Sequence, residues 1–223
     1  MSVNLEQSKK SEGRKEDILR ISYELFLNLG YTKTSMREIA SKSEVSLGLA
    51  SYYFKSKRAI AKEIIGEKFA QFEKITGDYV NKQEHPILYS ALLVCLNYTI
   101  FSSEKFILFY QDTMREDIFL EMIIASGNET YLNIRNKYQP ELSDEEANAM
   151  GWYGNHISVS MERTLVLYAG KSPLLEETIP EIIFKSYIGL WHFDGIEQET
   201  EKACEESKIL TVQIIAEHPE LFN

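Results

Sequence analysis

Apolar side chains recur every three to four residues along almost the whole chain, which is the period of an amphipathic α-helix. The pattern is clear between residues 15 and 29 and again between residues 56 and 79. The alternation of apolar and polar residues that marks a half-buried strand is not found. No long linker and no repeat with a period of about 20–50 residues interrupts the pattern. The sequence therefore predicts an all-α protein.

Capping signals and helix breakers divide this pattern into separate helices. Gly30 can end the first helix in left-handed geometry, and Ser35 with Glu38 forms a capping box that opens a short second one. Ser46 and Ser56 can cap a third helix, ending near residue 54, and a fourth of some six turns. Further helices are predicted over residues 86–101, 104–115, 117–138, 143–169, 180–192 and 196–217.

The composition excludes several classes of protein. Hydrophobic residues make up 44% of the 223-residue chain, enough for a sizeable core, so a disordered chain is not expected. The two cysteines cannot supply a disulfide framework or a four-ligand zinc site, and we expect reduced thiols in a cytoplasmic protein. No apolar run approaches the roughly 20 residues of a membrane span. Because the N-terminus is polar and has no apolar stretch, we expect no signal peptide.

The charge is divided unevenly along the chain. Residues 1–62 contain 12 basic and 7 acidic residues, a net charge of +5, whereas residues 63–223 contain 12 basic and 27 acidic residues, a net charge of −15. A basic N-terminal part on an acidic remainder indicates that only the N-terminal part meets a polyanion. The alternative is an asymmetry without functional meaning.

Residues 35–54 have the pattern of two short helices joined by a tight turn. In helix-turn-helix geometry Ile39 would pack against Ala50 and Phe54, and the opposite face of the second short helix would stay free. Gly48 on that face costs about 1 kcal/mol relative to alanine. Such a residue is reasonable where the backbone approaches another surface closely, as a recognition helix does in the major groove of DNA.

The segment GYTKTSMREIASKSEVSLGLASYYFKSKRAI, residues 30–60, resembles the N-terminal domain of the TetR/AcrR transcriptional regulators. The resemblance covers about residues 14–65, and the rest of the chain matches only in length and helical character. It implies a three-helix helix-turn-helix DNA-binding domain at 14–62 and a larger helical effector-binding and dimerisation domain at 63–223. The residue pattern before this region predicts a flexible tail at 1–13. Dimerisation would use the helices predicted at 143–169 and 180–192.

The resemblance also implies roles for individual residues. Residues before and on the first short helix, and Lys57 after the motif, would contact phosphates or the groove edge. The start and middle of the second short helix would face the bases, and the two tyrosines at its end would contact phosphates or thymine methyl groups. The implied DNA-binding residues are Thr34, Ser35, Arg37, Ser46, Leu47, Gly48, Leu49, Ser51, Tyr52, Tyr53 and Lys57. The alternatives are core packing for Tyr52 and a solvated side chain for Lys57.

The sequence departs from the family pattern at two positions of the motif. Glu44 stands at the turn position where the family often has glycine, and Ser51 stands where it usually has tyrosine. The recognition face has no Arg, Asn or Gln to read base edges. Specificity would then come from Arg37 and backbone contacts, or from the shape of the DNA.

The C-terminal part is rich in aromatic residues, as the lining of a pocket for a small molecule would be. The predicted ligand-binding residues are Phe109, Tyr110, Trp152, Tyr153, Asn155 and His156. Ordinary core packing is the alternative for each of them. The effector itself is not identified by the sequence.

Evidence for catalysis is weak. The four histidines are scattered, and His192 and Asp194 alone supply too few ligands for a metal site. The sequence contains no phosphate-binding loop and no nucleophile elbow. We therefore predict no catalytic residue, no metal and no cofactor. The preferred interpretation is a homodimeric, ligand-responsive repressor that a small molecule releases from a near-palindromic operator. The alternatives are a helical enzyme with an aromatic active site and a protein-interaction module whose helix-turn-helix is structural.

Overall fold

The computed structural model describes residues 2–126, 129–168 and 178–222, with side chains from residue 13 onward. Within these ranges the chain forms α-helices and one final 3₁₀ turn and contains no strand, so the all-α prediction is confirmed. The helices are α1 (Ser2–Leu29), α2 (Met36–Lys42), α3 (Leu47–Tyr53), α4 (Lys57–Tyr79), α5 (Pro86–Phe101), α6 (Ile107–Arg115), α7 (Ile118–Ala125), α8 (Glu129–Tyr138), α9 (Asp144–Tyr168), α10 (Ile179–Ile188) and α11 (Ile196–Glu217).

The predicted capping residues occupy the expected positions. The Ser35 hydroxyl accepts from the amide of Glu38 at 3.2 Å, and the Ser46 hydroxyl accepts from the amide of Leu49 at 3.1 Å. Ser56 caps α4 in the same way, through the amide of Ala59. Each hydroxyl satisfies an N–H group that the helix cannot pair internally.

The extents of the helices differ most from the prediction at three places. α1 begins at Ser2 and so includes residues 2–13, for which the sequence predicts a flexible tail; these residues contain no proline and are mostly tolerant of helix. Two helices, α7 and α8, occupy the range predicted as one helix at 117–138. The predicted second helix of the dimer, 180–192, ends at Ile188. Residue 1 of the predicted tail and residue 169 of the long helix lie outside the described residues.

The chain divides into two compact units. Unit 1 consists of Met1–Glu67 and Glu104–Phe119, and unit 2 of Lys68–Ser103 and Leu120–Asn223. The predicted boundary at residues 62 and 63 lies close to the first of these divisions. The segment 104–119, which contains α6, belongs to unit 1 and is separated from the rest of that unit by more than 35 residues of sequence.

The core of unit 1 is built where α1, α2, α3 and α6 meet. Ile18, Phe26, Ile39 and Ala50 are buried in it. The rings of Phe26 and Phe109 are nearly parallel, with centroids 5.6 Å apart. This stacking attaches α6 to α1 and fills the centre of the unit with aromatic area.

The core of unit 2 is formed by α5, which packs against α10 and α11, and by α9, which packs against α8 and α10. Its buried residues include Ile87, Ile134, Phe184 and Trp191. Both cysteines are buried in this unit and are free thiols. None of the described helices combines the length and the hydrophobicity needed to cross a bilayer.

Candidate nucleic-acid interface

α2 and α3 form a helix-turn-helix whose turn depends on a left-handed residue. Glu44 has φ 53°, and the amide of Val45 donates to the carbonyl of Ala40 at 3.0 Å, which closes the turn after α2. A left-handed conformation is unfavourable for a residue with a Cβ atom. The turn therefore holds the short helices together at a conformational cost that glycine would avoid.

The two faces of α3 have opposite characters. Ala50 on α3 and Phe54 at its end are buried against the rest of unit 1. The outer face carries Leu47, which is 41% exposed, and Tyr52, which is 78% exposed. Gly48 and Ser51 are also exposed, whereas Leu49 and Tyr53 are half-buried. α3 therefore presents an outer face of exposed apolar and small side chains while its inner face is anchored in the core of unit 1.

The predicted DNA-binding residues near the starts of α2 and α3 differ in their accessibility. Thr34 is buried, and its hydroxyl donates to the carbonyl of Gly30 at 2.9 Å, so this hydroxyl supports the turn between α1 and α2. Ser35 and Arg37 are exposed and remain available to a partner, although the Ser35 hydroxyl also caps α2. Ser46 has the same double role at the start of α3.

Lys57 binds the backbone of the chain itself. Its Nζ donates to the carbonyl of Tyr31 at 2.7 Å and lies 4.1 Å from the centroid of the Tyr31 ring. Burial lowers the pKa of Lys57, and the nearby carboxylates of Glu116 and Asp112 act in the opposite direction. The ammonium group thus holds the turn after α1, in addition to any contact with phosphate.

Asp112 on α6 is a residue of this site that the sequence did not indicate. Its Oδ2 atom accepts from the amide of Thr32 at 2.8 Å, and its Oδ1 atom accepts from Arg115 at 3.1 Å. Eighty positions separate Asp112 from Thr32. No local pattern signals a pairing over that distance, so only the packing of α6 on α1 could reveal it.

The six predicted ligand-binding residues are not brought together within one unit. Phe109 and Tyr110 are buried in unit 1, where Phe109 stacks on Phe26. The other four lie on α9 in unit 2 and face different ways: Trp152 and Tyr153 are exposed, His156 is half-buried and Asn155 is buried. Clustering in sequence did not distinguish core, surface and pocket positions, because successive residues of a helix point in different directions.

A cleft in unit 2 is lined by His85, Ile87, Leu88, Tyr138, Glu199, Lys202, Ala203 and Glu206. Its volume of about 30 Å³ has room for about one water molecule. An organic effector does not fit this space without movement of its walls. Among the described residues, no three His, Cys, Asp or Glu side chains form a group that could hold a metal ion.

The N-terminal part of the chain is similar in sequence to known bacterial regulatory proteins. Residues 18–64 match the family described as bacterial regulatory proteins, tetR family. A protein of Bacillus subtilis (strain 168), described as the probable HTH-type transcriptional regulator YttP, is 33% identical over 60 residues. These residues are 27% of this chain and 29% of that protein, so the similarity spans less than a third of the relative's length.

Solved structures extend the comparison to most of the chain. RolR in complex with resorcinol has a TM-score of 0.62 at 10% identity and covers 88% of this chain and 95% of its own. A gamma-butyrolactone receptor, described as ArpA-like, has a TM-score of 0.52 at 11% identity and covers 92% and 99%. At these identities the likeness shows a shared fold, including the helices that follow the helix-turn-helix.

Proposed function

We propose that the chain, whose residues 18–64 match the tetR family of bacterial regulatory proteins, is a DNA-binding transcriptional regulator. The observation that carries the proposal is the exposed outer face of α3, with Leu47, Ser51 and Tyr52 on a helix whose inner face is buried. Basic residues surround this motif: Lys33, Arg37, Lys42 and Lys55 are exposed. Such residues would meet the phosphates of a duplex.

We infer that α3 enters the major groove and that Leu47 contacts thymine methyl groups. The outer face offers no guanidinium or amide group, so Arg37 and the deformability of the operator carry much of the sequence preference. Binding then depends strongly on salt, because each neutralised phosphate contributes about −0.9 to the slope of log K against log salt.

The homodimer is a further part of the proposal. α9 exposes an apolar stripe of Tyr153, Ile157, Met161 and Tyr168, and α11 exposes Ile209 and Val212. Monomeric soluble proteins rarely expose so many large apolar side chains on adjacent turns. We propose that α9 and α11 form the interface with a second copy. α9 corresponds to the helix predicted at 143–169, and α11 takes the place of the helix predicted at 180–192. The apolar residues Ile179, Ile183, Phe184 and Ile188 of α10 are buried within unit 2 itself.

A two-fold dimer presents two copies of α3. The operator is then a near-palindrome whose half-sites lie about one helical turn of DNA, or a multiple of it, apart. Binding to such a site upstream of a gene excludes other proteins from the site, so we propose that the protein is a repressor. We also propose that it acts in the cytoplasm.

The effector is proposed to be a small organic molecule that binds in unit 2. The solved relatives include RolR with resorcinol and a gamma-butyrolactone receptor, and both names specify small organic molecules. In the core of unit 2 the ring of Tyr131 stacks on Trp191 and packs at a tilt of 60° against Tyr187. In the part of the chain that the structure describes, Trp191 Nε1 is buried without a hydrogen-bond acceptor. A ligand with an acceptor oxygen would satisfy this group.

Duplex binding tests the regulator against the two alternatives. The purified protein is used to select fragments from genomic DNA, and the selected duplex is titrated at several salt concentrations. We expect tight binding of a near-palindromic fragment and a steep salt slope. A helical enzyme or a protein-interaction module would bind no duplex above the non-specific level, and that result would refute the proposal.

The effector is tested by fluorescence. The variant Trp152→Phe leaves Trp191 as the single tryptophan, and Trp191 is only 2% exposed. We expect an effector that enters unit 2 to shift the emission of this variant and to change its affinity for the selected duplex. A ligand that alters DNA affinity without changing Trp191 emission would place the site elsewhere.

A further inference from the structure

The turn between α1 and α2 is held by a carboxylate from a distant part of the chain. Asp112 Oδ2 accepts from the Thr32 amide at 2.8 Å. A Cβ atom at Gly30 would lie 2.9 Å from the same oxygen, and Gly30 has φ 86°. The carboxylate therefore fits against the turn only because residue 30 has no side chain and can adopt the left-handed conformation.

The position of Asp112 is itself fixed by two contacts of α6. Arg115 binds its second oxygen, and the Asp112 side chain is only 15% exposed. Phe109, one turn earlier on α6, stacks on Phe26 of α1. A carboxylate with both oxygens engaged and a rigid helix beneath it has little freedom to move, so its bond to Thr32 fixes the position of that amide.

Two other contacts hold the same turn, one from the start of α4 and one from within the turn. The Nζ of Lys57 on α4 donates to the Tyr31 carbonyl, and the Thr34 hydroxyl donates to the Gly30 carbonyl. The residues that the turn presents to solvent are Thr32, Lys33 and Ser35. These side chains come directly before α2 in the chain, so the conformation of the turn decides where they point.

We propose that Asp112 is a positioning residue for DNA binding, which acts through the amide of Thr32 to hold the α1–α2 turn in its binding conformation. The proposal rests on the proposed function. It extends the DNA-binding unit beyond residues 18–64, because a residue of α6 determines the geometry of a surface in the N-terminal part. Without this acceptor the turn samples other conformations. DNA binding must then order the turn, and the loss of conformational entropy weakens the affinity for DNA.

The test compares Asp112→Ala with Asp112→Asn, which keeps an oxygen acceptor, and with Glu104→Ala, which removes an exposed carboxylate from the same segment of unit 1. Affinity for the selected duplex is measured at several salt concentrations, and hydrogen exchange of the Thr32 amide is measured without DNA. We expect about tenfold weaker binding and faster Thr32 exchange in Asp112→Ala. The salt slope stays unchanged, because Asp112 contacts no phosphate. Asp112→Asn and Glu104→Ala stay near the unmodified protein.

Each outcome has a distinct meaning. Equal affinity of Asp112→Ala and the unmodified protein overturns the positioning role, even if Thr32 exchange is faster. Absence of salt-dependent duplex binding by the unmodified protein overturns the proposed function, and with it the role of Asp112. If Asp112→Ala does not fold, Asp112→Leu fills similar space without an acceptor and replaces it under the same criteria.

Discussion

The Nζ atom of Lys57 lies 2.7 Å from the carbonyl oxygen of Tyr31 and 4.1 Å from the centroid of the same residue's ring. The start of α4 is thereby joined to the turn that follows α1. The resemblance to TetR/AcrR regulators implies a phosphate contact for this lysine, and the contact with Tyr31 adds a second role. The two roles are separable, because only a direct phosphate contact affects the salt dependence of binding.

We expect Lys57→Ala to weaken binding of all duplexes while lowering the salt slope by less than about 0.9, since part of its effect comes through the turn. Lys33→Ala provides the comparison, because Lys33 is exposed on that turn. If Lys33 meets a phosphate, its removal lowers the slope by about 0.9. Titration at several salt concentrations measures both slopes. A full decrease of about 0.9 for Lys57→Ala would show that its main partner is DNA.

Glu44 is expected to limit both stability and DNA affinity. It is an exposed acidic residue at φ 53° in the turn of the helix-turn-helix. Glu44→Gly should raise the free energy of unfolding by about 1 kcal/mol, because glycine adopts left-handed geometry without a steric penalty. It should also strengthen duplex binding by removing a charge of the same sign as the phosphates.

Glu44→Gln separates these two effects. Glutamine at this position still has a Cβ atom in the left-handed conformation, but it carries no charge. Chemical denaturation and duplex titration of both variants give the two contributions. If glycine stabilises no more than glutamine does, backbone strain at residue 44 is not significant.

The dimer interface is tested at Ile157. A glutamate at this exposed position of α9 should dissociate the proposed dimer, because a charge would be buried against the second copy without a partner. Sedimentation velocity at micromolar concentration should then show a monomer with weak affinity for the palindromic duplex. Leu165, on the same helix, is buried within the protomer, so a charge at that position would test folding of the protomer and not dimerisation.

The matched control for Ile157→Glu is Leu108→Glu, which places the same charge at an exposed apolar position of unit 1. We expect this variant to remain dimeric. A dimer that persists in Ile157→Glu and dissociates in Leu108→Glu would move the interface away from α9.

Gly154 on α9 is required by the ring of Tyr131. A Cβ atom at residue 154 would overlap the Tyr131 hydroxyl and would lie 2.9 Å from the carbonyl oxygen of Tyr187. This hydroxyl donates to that carbonyl at 2.7 Å. Gly154→Ala should therefore lower the free energy of unfolding by about 1–3 kcal/mol, the usual cost of overpacking a core.

Gly77→Ala is the control for this substitution. Gly77 lies within α4, is exposed, and has no atom within 4 Å of an added Cβ. Alanine there should stabilise the protein by up to about 1 kcal/mol through its higher helix propensity. Denaturant unfolding of the two variants should change in opposite directions, and a stabilised Gly154→Ala would show that Tyr131 moves aside easily.

Local signals were sufficient for much of the fold. The period of the apolar residues predicted the helices, and Ser35, Ser46 and Ser56 cap the helices at which they were predicted. Gly30 adopts the left-handed conformation predicted for the residue that ends α1. These features depend on interactions within three or four residues, so the sequence alone contained the information.

Tertiary structure decided which side chains meet and which reach solvent. The bond from Thr32 to Asp112 joins residues eighty positions apart, and Lys57 at the start of α4 donates to the carbonyl of Tyr31, which lies 26 positions away in the turn after α1. The two tryptophans, Trp152 on α9 and Trp191 in the segment after α10, have equal hydrophobicity, yet the first is exposed and the second is buried because the packing around them differs. Hydrophobic burial is non-directional and acts between distant segments, so composition and periodicity determine that a core forms, whereas the packing of helices determines which residues enter it.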